Sequence, residues 1–227
     1  MIGIFDSGVG GLTAYRELAR LLPRADILYL ADRKNAPYGT KEKDELISLV
    51  RRDIQRLRAL GAEKILVACC TASTVCSFIP REEALGVIPI ILPTARISAA
   101  RSEKIAVIAT KYTVNSQEFT KQIRSLNERA SVTEIEAGRL VSLVESGARD
   151  GRLDRAAEEY LDALAEKIAK AGADTLIFGC THFTHVEGEL KSRLPHISTL
   201  HPSRIGAAAL ASLPFVGMGR GKRIYTE

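Results

Sequence analysis

Short apolar runs of strand length recur along the chain, separated by longer segments whose apolar positions repeat with helical period. "IGIF" predicts a first strand, followed by a Gly-rich turn and a helix near residues 11 to 22. "ILYL" predicts the second strand, which leads into the polar loop "ADRKNAPYGTK". Residues 43 to 60 read as the clearest helix: Leu46, Leu49, Val50, Ile54, Leu57 and Leu60 fall on one stripe, and Gly61 supplies the stop. "KILVA", "IPIIL", "KIAVIA", "VTEIE", "TLIFG" and "ISTLH" predict further strands, with helices near 113 to 126, 139 to 148 and 153 to 171. Pro89, Pro93 and Gly172 punctuate them. The alternation is that of an α/β protein.

The pattern restarts after Pro93, and two strand ends look alike. "ILVACCTAS" and "TLIFGCTHF" each run from an apolar strand through a small residue to a cysteine, Cys69 or Cys180, with threonine close behind. An internal duplication is the expectation. In open parallel sheets ligands collect at the carboxyl ends of strands, so both thiols are expected at a binding end.

Composition sharpens this. A chain of 227 residues with 46% apolar content can bury a full core, in one large or two small domains. The opening "MIGIFDSGVGG" lacks the basic region and apolar stretch of a secretory signal, and no apolar run reaches bilayer length, so a cytoplasmic location without membrane contact is expected. Four cysteines at 69, 70, 76 and 180 are too few and too unevenly placed for a disulfide framework. A formal charge of +5 is common for a solvated surface, and Arg51, Arg52, Arg56 and Arg58 lack the aromatic interleaving of a nucleic-acid face, so no nucleic-acid partner is expected.

Two thiols presented to one molecule from opposite sides suit proton exchange at a carbon: one thiolate removes a proton from one face while the other thiol delivers one to the opposite face. Both sulfurs need help to ionise. His182 stands two residues after Cys180, and Asp6 ends the first strand. Cys76 reads as core packing, and His185, His196 and His201 as surface or helix-end residues.

The stretches "GIFDSGVGGLT", "YLADRKNAPYGTK", "VACCTAS" and "GCTH", in this order, resemble the cofactor-independent glutamate racemases of the aspartate/glutamate racemase superfamily. The resemblance implies two similar α/β domains, each a parallel sheet flanked by helices, with the active site in the cleft between them. It places residues 1–92 with 206–227 in the first domain and 93–205 in the second. It makes Cys69 and Cys180 the catalytic thiols, Asp6 and His182 their assisting partners, and Glu145 a further acid near one thiol. Asp6, Ser7, Pro37, Tyr38, Gly39, Cys70, Thr71, Thr110, Thr181 and His182 would hold the substrate. The implied reaction interconverts L- and D-glutamate with no cofactor and no metal and supplies D-glutamate for peptidoglycan. The expected partners are the small-molecule substrate and a second copy of the chain in a homodimer.

The chain also departs from that pattern. Cys70 stands where the family has Asn, Ala109 precedes Thr110 where the family has Gly, and Phe183-Thr184 replaces an aromatic-Pro pair. The tail "GKRIYTE" resembles the family's last strand cut short. These positions keep two alternatives open: a racemase of aspartate or another acidic amino acid, and a binding homologue with impaired turnover. Two rival motifs are weaker. "FDSGVGG" followed by Asp32 partly matches a dinucleotide fingerprint, but Thr13 stands where the third glycine belongs. Cys180, His182 and His185 are zinc-type ligands without a second pair.

Overall fold

Apolar runs as dense as "IGIF" and "KIAVIA" suit strands covered on both faces, which is what parallel sheets provide. The computed structural model describes residues 1–147, 154–214 and 219–226. In chain order it holds β1 (Ile2–Asp6), α1 (Leu12–Leu21), β2 (Ile27–Ala31), α2 (Lys43–Ala59), β3 (Lys64–Val67), α3 (Cys70–Ser73), β4 (Val87–Pro89) and α4 (Ile91–Arg101). There follow β5 (Lys104–Ala109), α5 (Lys111–Ser116), α6 (Glu118–Leu126), β6 (Ser131–Glu136), α7 (Arg139–Gly147), α8 (Arg155–Lys170) and β7 (Thr175–Gly179). Last come α9 (Glu187–Arg193), β8 (Ser198–Leu200), α10 (Pro202–Ala211) and β9 (Arg223–Thr226).

Two compact units result, Met1–Thr94 with Pro202–Glu227 and Ala95–His201. The first holds a five-stranded sheet in the order β4-β3-β1-β2-β9, the second a four-stranded sheet in the order β6-β5-β7-β8. Every strand pair is parallel. In the first unit β1 and β2 are buried along their whole length, and α2 covers them with Leu46, Leu49, Val50, Ile54 and Leu57. Each such side chain removed from water stabilises the fold by about 1.5–3 kcal/mol. In the second, Ile108, Leu161, Leu164, Ile168, Leu176, Phe178 and Phe183 form the core between sheet and helices.

Several elements depart from expectation for local reasons. The run "IPIIL" divides: the strand ends at Pro89, and α4 begins at Ile91 with Pro93 in its first turn, where a missing N–H costs nothing. The helix expected over 113 to 126 is two, because Gln117 adopts a left-handed φ of 55° between α5 and α6. His201 is buried, not superficial; its ring stacks on Phe178 with centroids 5.0 Å apart, and its Nε2 lies 3.0 Å from Glu187 Oε1. No helix among the described residues is long and apolar enough to cross a membrane.

Candidate active site

Cys69 stands two residues beyond β3, next to the end of β1 in the sheet. Register explains the meeting: Phe5 pairs with Val67, and the Ala68 N–H donates to the Phe5 carbonyl at 2.9 Å. Asp6 and Ser7 are thereby delivered beside the thiol. The Cys69 sulfur caps α3, accepting from the Ala72 N–H at 3.5 Å, and lies 3.6 Å from Ser7 Oγ. Burial, followed by the Asp6 charge, pushes the Cys69 thiol up to about 11, against the opposing pull of the Ala72 N–H and Ser7. At rest this sulfur keeps its proton.

Asp6 is fully buried, and its Oδ1 accepts from the Gly8 N–H at 2.9 Å. The Tyr29 hydroxyl donates to the Gly8 carbonyl at 2.9 Å and so holds the same turn from below. Gly11 closes it, because a Cβ there would sit 2.6 Å from Asp6 Cβ and 2.9 Å from the Tyr29 hydroxyl. Of the glycines that resembled a dinucleotide fingerprint, Gly11 thus makes room for a carboxylate. Asp32, the acid that fingerprint needs, is buried and already accepts from Tyr38, Asn35 and Arg52.

In the second unit Cys180 follows β7 directly, as Cys69 follows β3 by two residues. Ala109 pairs with Gly179, which brings Thr110 to the neighbouring strand end. Gly179 is required by that closeness, since a Cβ would meet the Ile108 carbonyl at 2.9 Å. Cys180 is half-buried, with its sulfur 3.8 Å from His182 Nδ1. Thr181 is buried at the head of the turn Thr181–Val186, and its carbonyl accepts from the Thr184 hydroxyl at 3.2 Å. Thr110 Oγ1 lies 3.1 Å from Thr113 Oγ1 at the start of α5. His185 is exposed, and the described residues contain no group of three His, Cys, Asp or Glu placed to hold a metal ion.

The two local constructions match in kind: a parallel strand buried throughout its last residues, a thiol at its carboxyl end, a hydroxyl or imidazole at the sulfur, and a threonine in the turn that follows. The Asp/Glu/Hydantoin racemase family model matches residues 9–210. The chain belongs to that family. A glutamate racemase of Picosynechococcus sp. is 37% identical over 211 residues, spanning 92% of this chain and 74% of the relative. Among solved structures, a glutamate racemase of Bacillus anthracis matches with TM-score 0.89 and 28% identity, covering 100% of this chain and 88% of its own. A glutamate racemase of Francisella tularensis, crystallised with D-glutamate, matches with TM-score 0.89 and 28% identity over 99% of this chain and 85% of its own.

Within this member of the racemase family, the remaining expected residues divide. Pro37 is exposed and Gly39 half-buried, on either side of Tyr38, whose side chain is buried. The Tyr38 hydroxyl lies 2.6 Å from Asp32 Oδ2 and 2.9 Å from Asp53 Oδ2. It is committed inward, which leaves the backbone of Tyr38 for any contact outside. Cys70 opens α3 and is buried, and Thr71 beside it is buried as well. Cys76 packs in the core, with its sulfur 3.6 Å from the Ala72 carbonyl. Glu145 belongs to α7, but its side chain lies outside the described residues. The sequence reading missed Tyr29, which looked like one more apolar strand residue, and Asp53. The signal for Asp53 was available: it is an acid on the apolar stripe of α2.

Proposed function

We propose that this chain is a glutamate racemase, interconverting L- and D-glutamate by proton transfer at the α-carbon with Cys69 and Cys180 as the acid and base. The observation that carries the reading is the repeated strand end, with one thiol prepared in each unit. Support also comes from relatives named as glutamate racemases, one of them crystallised with D-glutamate.

The two sulfurs are prepared differently. Burial and Asp6 hold Cys69 as a thiol, ready to donate a proton. Cys180 has the His182 imidazole at 3.8 Å to take up its proton and leave a thiolate. In the forward turnover Cys180 removes the α-proton from one face, and Cys69 delivers its own to the other. One C–H bond breaks and one forms, and Cys69 is left as the anion, supported by Ser7 and the Ala72 N–H. The reverse reaction uses the same groups with roles exchanged. Thr71, Thr110 and Thr181, with the backbone of Pro37–Gly39, are assigned to the substrate's carboxylates and ammonium. The reading places the reaction in the cytoplasm, as a source of D-glutamate for peptidoglycan precursors.

The test is incubation of purified protein with each enantiomer of glutamate and aspartate in heavy water, following optical rotation and α-deuterium together. Racemisation of glutamate with deuterium uptake is expected. Turnover of aspartate alone would replace the substrate, and binding without turnover would replace the enzyme by a binding homologue.

A further inference from the structure

Asp53 lies on the stripe with which α2 covers the sheet, between Val50 and Leu57, with none of its surface exposed. A carboxylate in such a place is costly unless charge and hydrogen bonds compensate it. Arg52, Tyr38 and Asp32 face it as charged or titratable groups. Arg52 Nε and Nη2 donate to Asp53 Oδ1 at 3.1 and 3.0 Å, and Arg52 Nη2 also donates to Asp32 Oδ2 at 2.7 Å. Asn35 Nδ2 donates to both oxygens of Asp32 at 2.8 and 3.1 Å. Tyr38 Oη stands between the two acids, 2.6 Å from Asp32 Oδ2 and 2.9 Å from Asp53 Oδ2.

Counting protons decides the arrangement. A phenol has one proton to give and can satisfy one of these two oxygens as donor. If both acids were ionised, the second oxygen would face the phenol's lone pairs. A proton shared into this cluster removes that problem. Asp32 has the richer set of donors and the shorter contact with the phenol, so Asp53 is the acid that carries the proton.

We propose that Asp53 is protonated in the resting protein. It donates through Oδ2 to Tyr38, which donates in turn to Asp32, and by this chain it is a positioning residue for the turn that presents Pro37 and Gly39. This deepens the racemase reading and rests on that turn's contact with the substrate. Burial and then the Asp32 charge push the Asp53 carboxyl up, against Tyr38 and Arg52. At Asp32 the bonds from Tyr38, Asn35 and Arg52 outweigh burial and hold its carboxyl below the ordinary value. The mechanical consequence is local. Asn35 and Tyr38 both lie on the segment leading to Thr40, whose hydroxyl donates to the Pro37 carbonyl at 3.1 Å, so the Asp32 and Asp53 carboxyls fix the segment from within. Loss of the Asp53 proton sets two anions around one phenol and frees the turn from its register.

Asparagine reproduces the proposed state: its carbonyl accepts from Arg52 and its amide donates to Tyr38. Asp53→Asn should therefore keep KM for glutamate near the wild-type value, whereas Asp53→Ala should raise KM about tenfold with kcat changed far less, the pattern of lost binding geometry. The wild type should lose substrate affinity as pH rises through the Asp53 titration, and Asp53→Asn should not. Infrared difference spectroscopy at neutral pH reads the proton without turnover: the wild type should show a carboxylic-acid carbonyl band that Asp53→Asn lacks. A wild-type spectrum without that band overturns the proposal, even if the alanine variant fails to fold. Asp53→Asn as impaired as Asp53→Ala, or an unchanged KM in Asp53→Ala, overturns the positioning role. Failure to racemise glutamate with the band intact would retire the racemase reading and leave the proton assignment standing.

Discussion

Ser7 Oγ lies 3.6 Å from the sulfur of Cys69, although 62 positions separate the two residues in sequence. Parallel pairing of β1 with β3 brings them together, and Asp6 arrives at the same sulfur by the same route. Two neighbours of opposite effect therefore flank one thiol: a hydroxyl that can donate to the thiolate and a carboxylate that repels it.

The first prediction separates these effects. Pushed up to about 11, the Cys69 thiol keeps its proton at pH 7. Ser7→Ala should raise that titration further and Asp6→Asn should lower it. The pH dependence of Cys69 alkylation, followed by mass spectrometry of its peptide, reads both. Asp6→Asn should make the thiol more reactive while slowing racemisation, because the assisting carboxyl is gone. Slower alkylation in Asp6→Asn would contradict the electrostatic account. The same shift bears on stability. A thiol raised from 9.0 to about 11 contributes stability that is intact below pH 9 and lost as pH rises through 11, so the wild type should lose stability across that window more steeply than Cys69→Ala, in which the buried Tyr29 and Tyr38 still act.

A second prediction concerns Gly11, where a Cβ would overlap Asp6 and the Tyr29 hydroxyl. Gly11→Ala should cost about 1–3 kcal/mol in denaturant unfolding, the usual penalty for overpacking, and should displace Asp6. Activity should fall more than stability does. Gly8→Ala, whose Cβ would meet nothing within 4 Å, serves as the control and should unfold like wild type.

Acid stability supplies the third. At Glu187 burial is outweighed by bonds from Lys191, Thr199 and His201, which hold the carboxyl at about 2, down from 4.5. A depressed carboxylate contributes stability that is present above its unfolded value and lost as pH falls through the folded one. Wild type should therefore weaken between pH 5 and 2 more steeply than Glu187→Gln. Parallel curves would show that the charged Glu187 gains nothing from these partners.

Much of this fold was legible because strands buried on both faces leave unbroken apolar runs, and because Gly61 and Gly172 mark helix ends plainly. "IPIIL" was not, since a strand and a first-turn proline helix share one apolar stretch across Pro89 and Pro93. Helix α10 was missed because "PSRIGAAALA" is nearly uniformly small and apolar, so it carries no stripe to read. The thiols could be named from their motifs, but sequence offers no view of register. It therefore concealed that Ser7 meets Cys69 and that the Tyr38 hydroxyl turns inward to Asp32 and Asp53. His201 deceived for a related reason: its burial depends on Phe178 and Glu187, which are distant in sequence.

The fourth prediction uses Cys70, the buried thiol at the position where the resemblance leads one to expect an asparagine. A thiol is a weak donor and acceptor, while a hydrogen bond from a side-chain amide to a charged group contributes about 1.5–3 kcal/mol. Cys70→Asn should raise kcat/KM for glutamate about tenfold, the lower end of that range. Steady-state kinetics in both directions decide it, and an unchanged or lower value in a folded variant would give Cys70 a role of its own.

The central claim is that Cys69 and Cys180 each handle one face of the substrate's α-carbon, and the most direct measurement is racemisation by the two single alanine variants alongside calorimetric binding of D-glutamate. Positioned acid or base groups accelerate proton transfer by about a hundredfold or more, so Cys69→Ala and Cys180→Ala should each lose at least that factor in kcat while binding D-glutamate nearly as tightly as wild type. If either variant binds normally and still racemises glutamate at more than about a tenth of the wild-type rate, far above the loss expected for a missing acid or base, the two-thiol account is wrong.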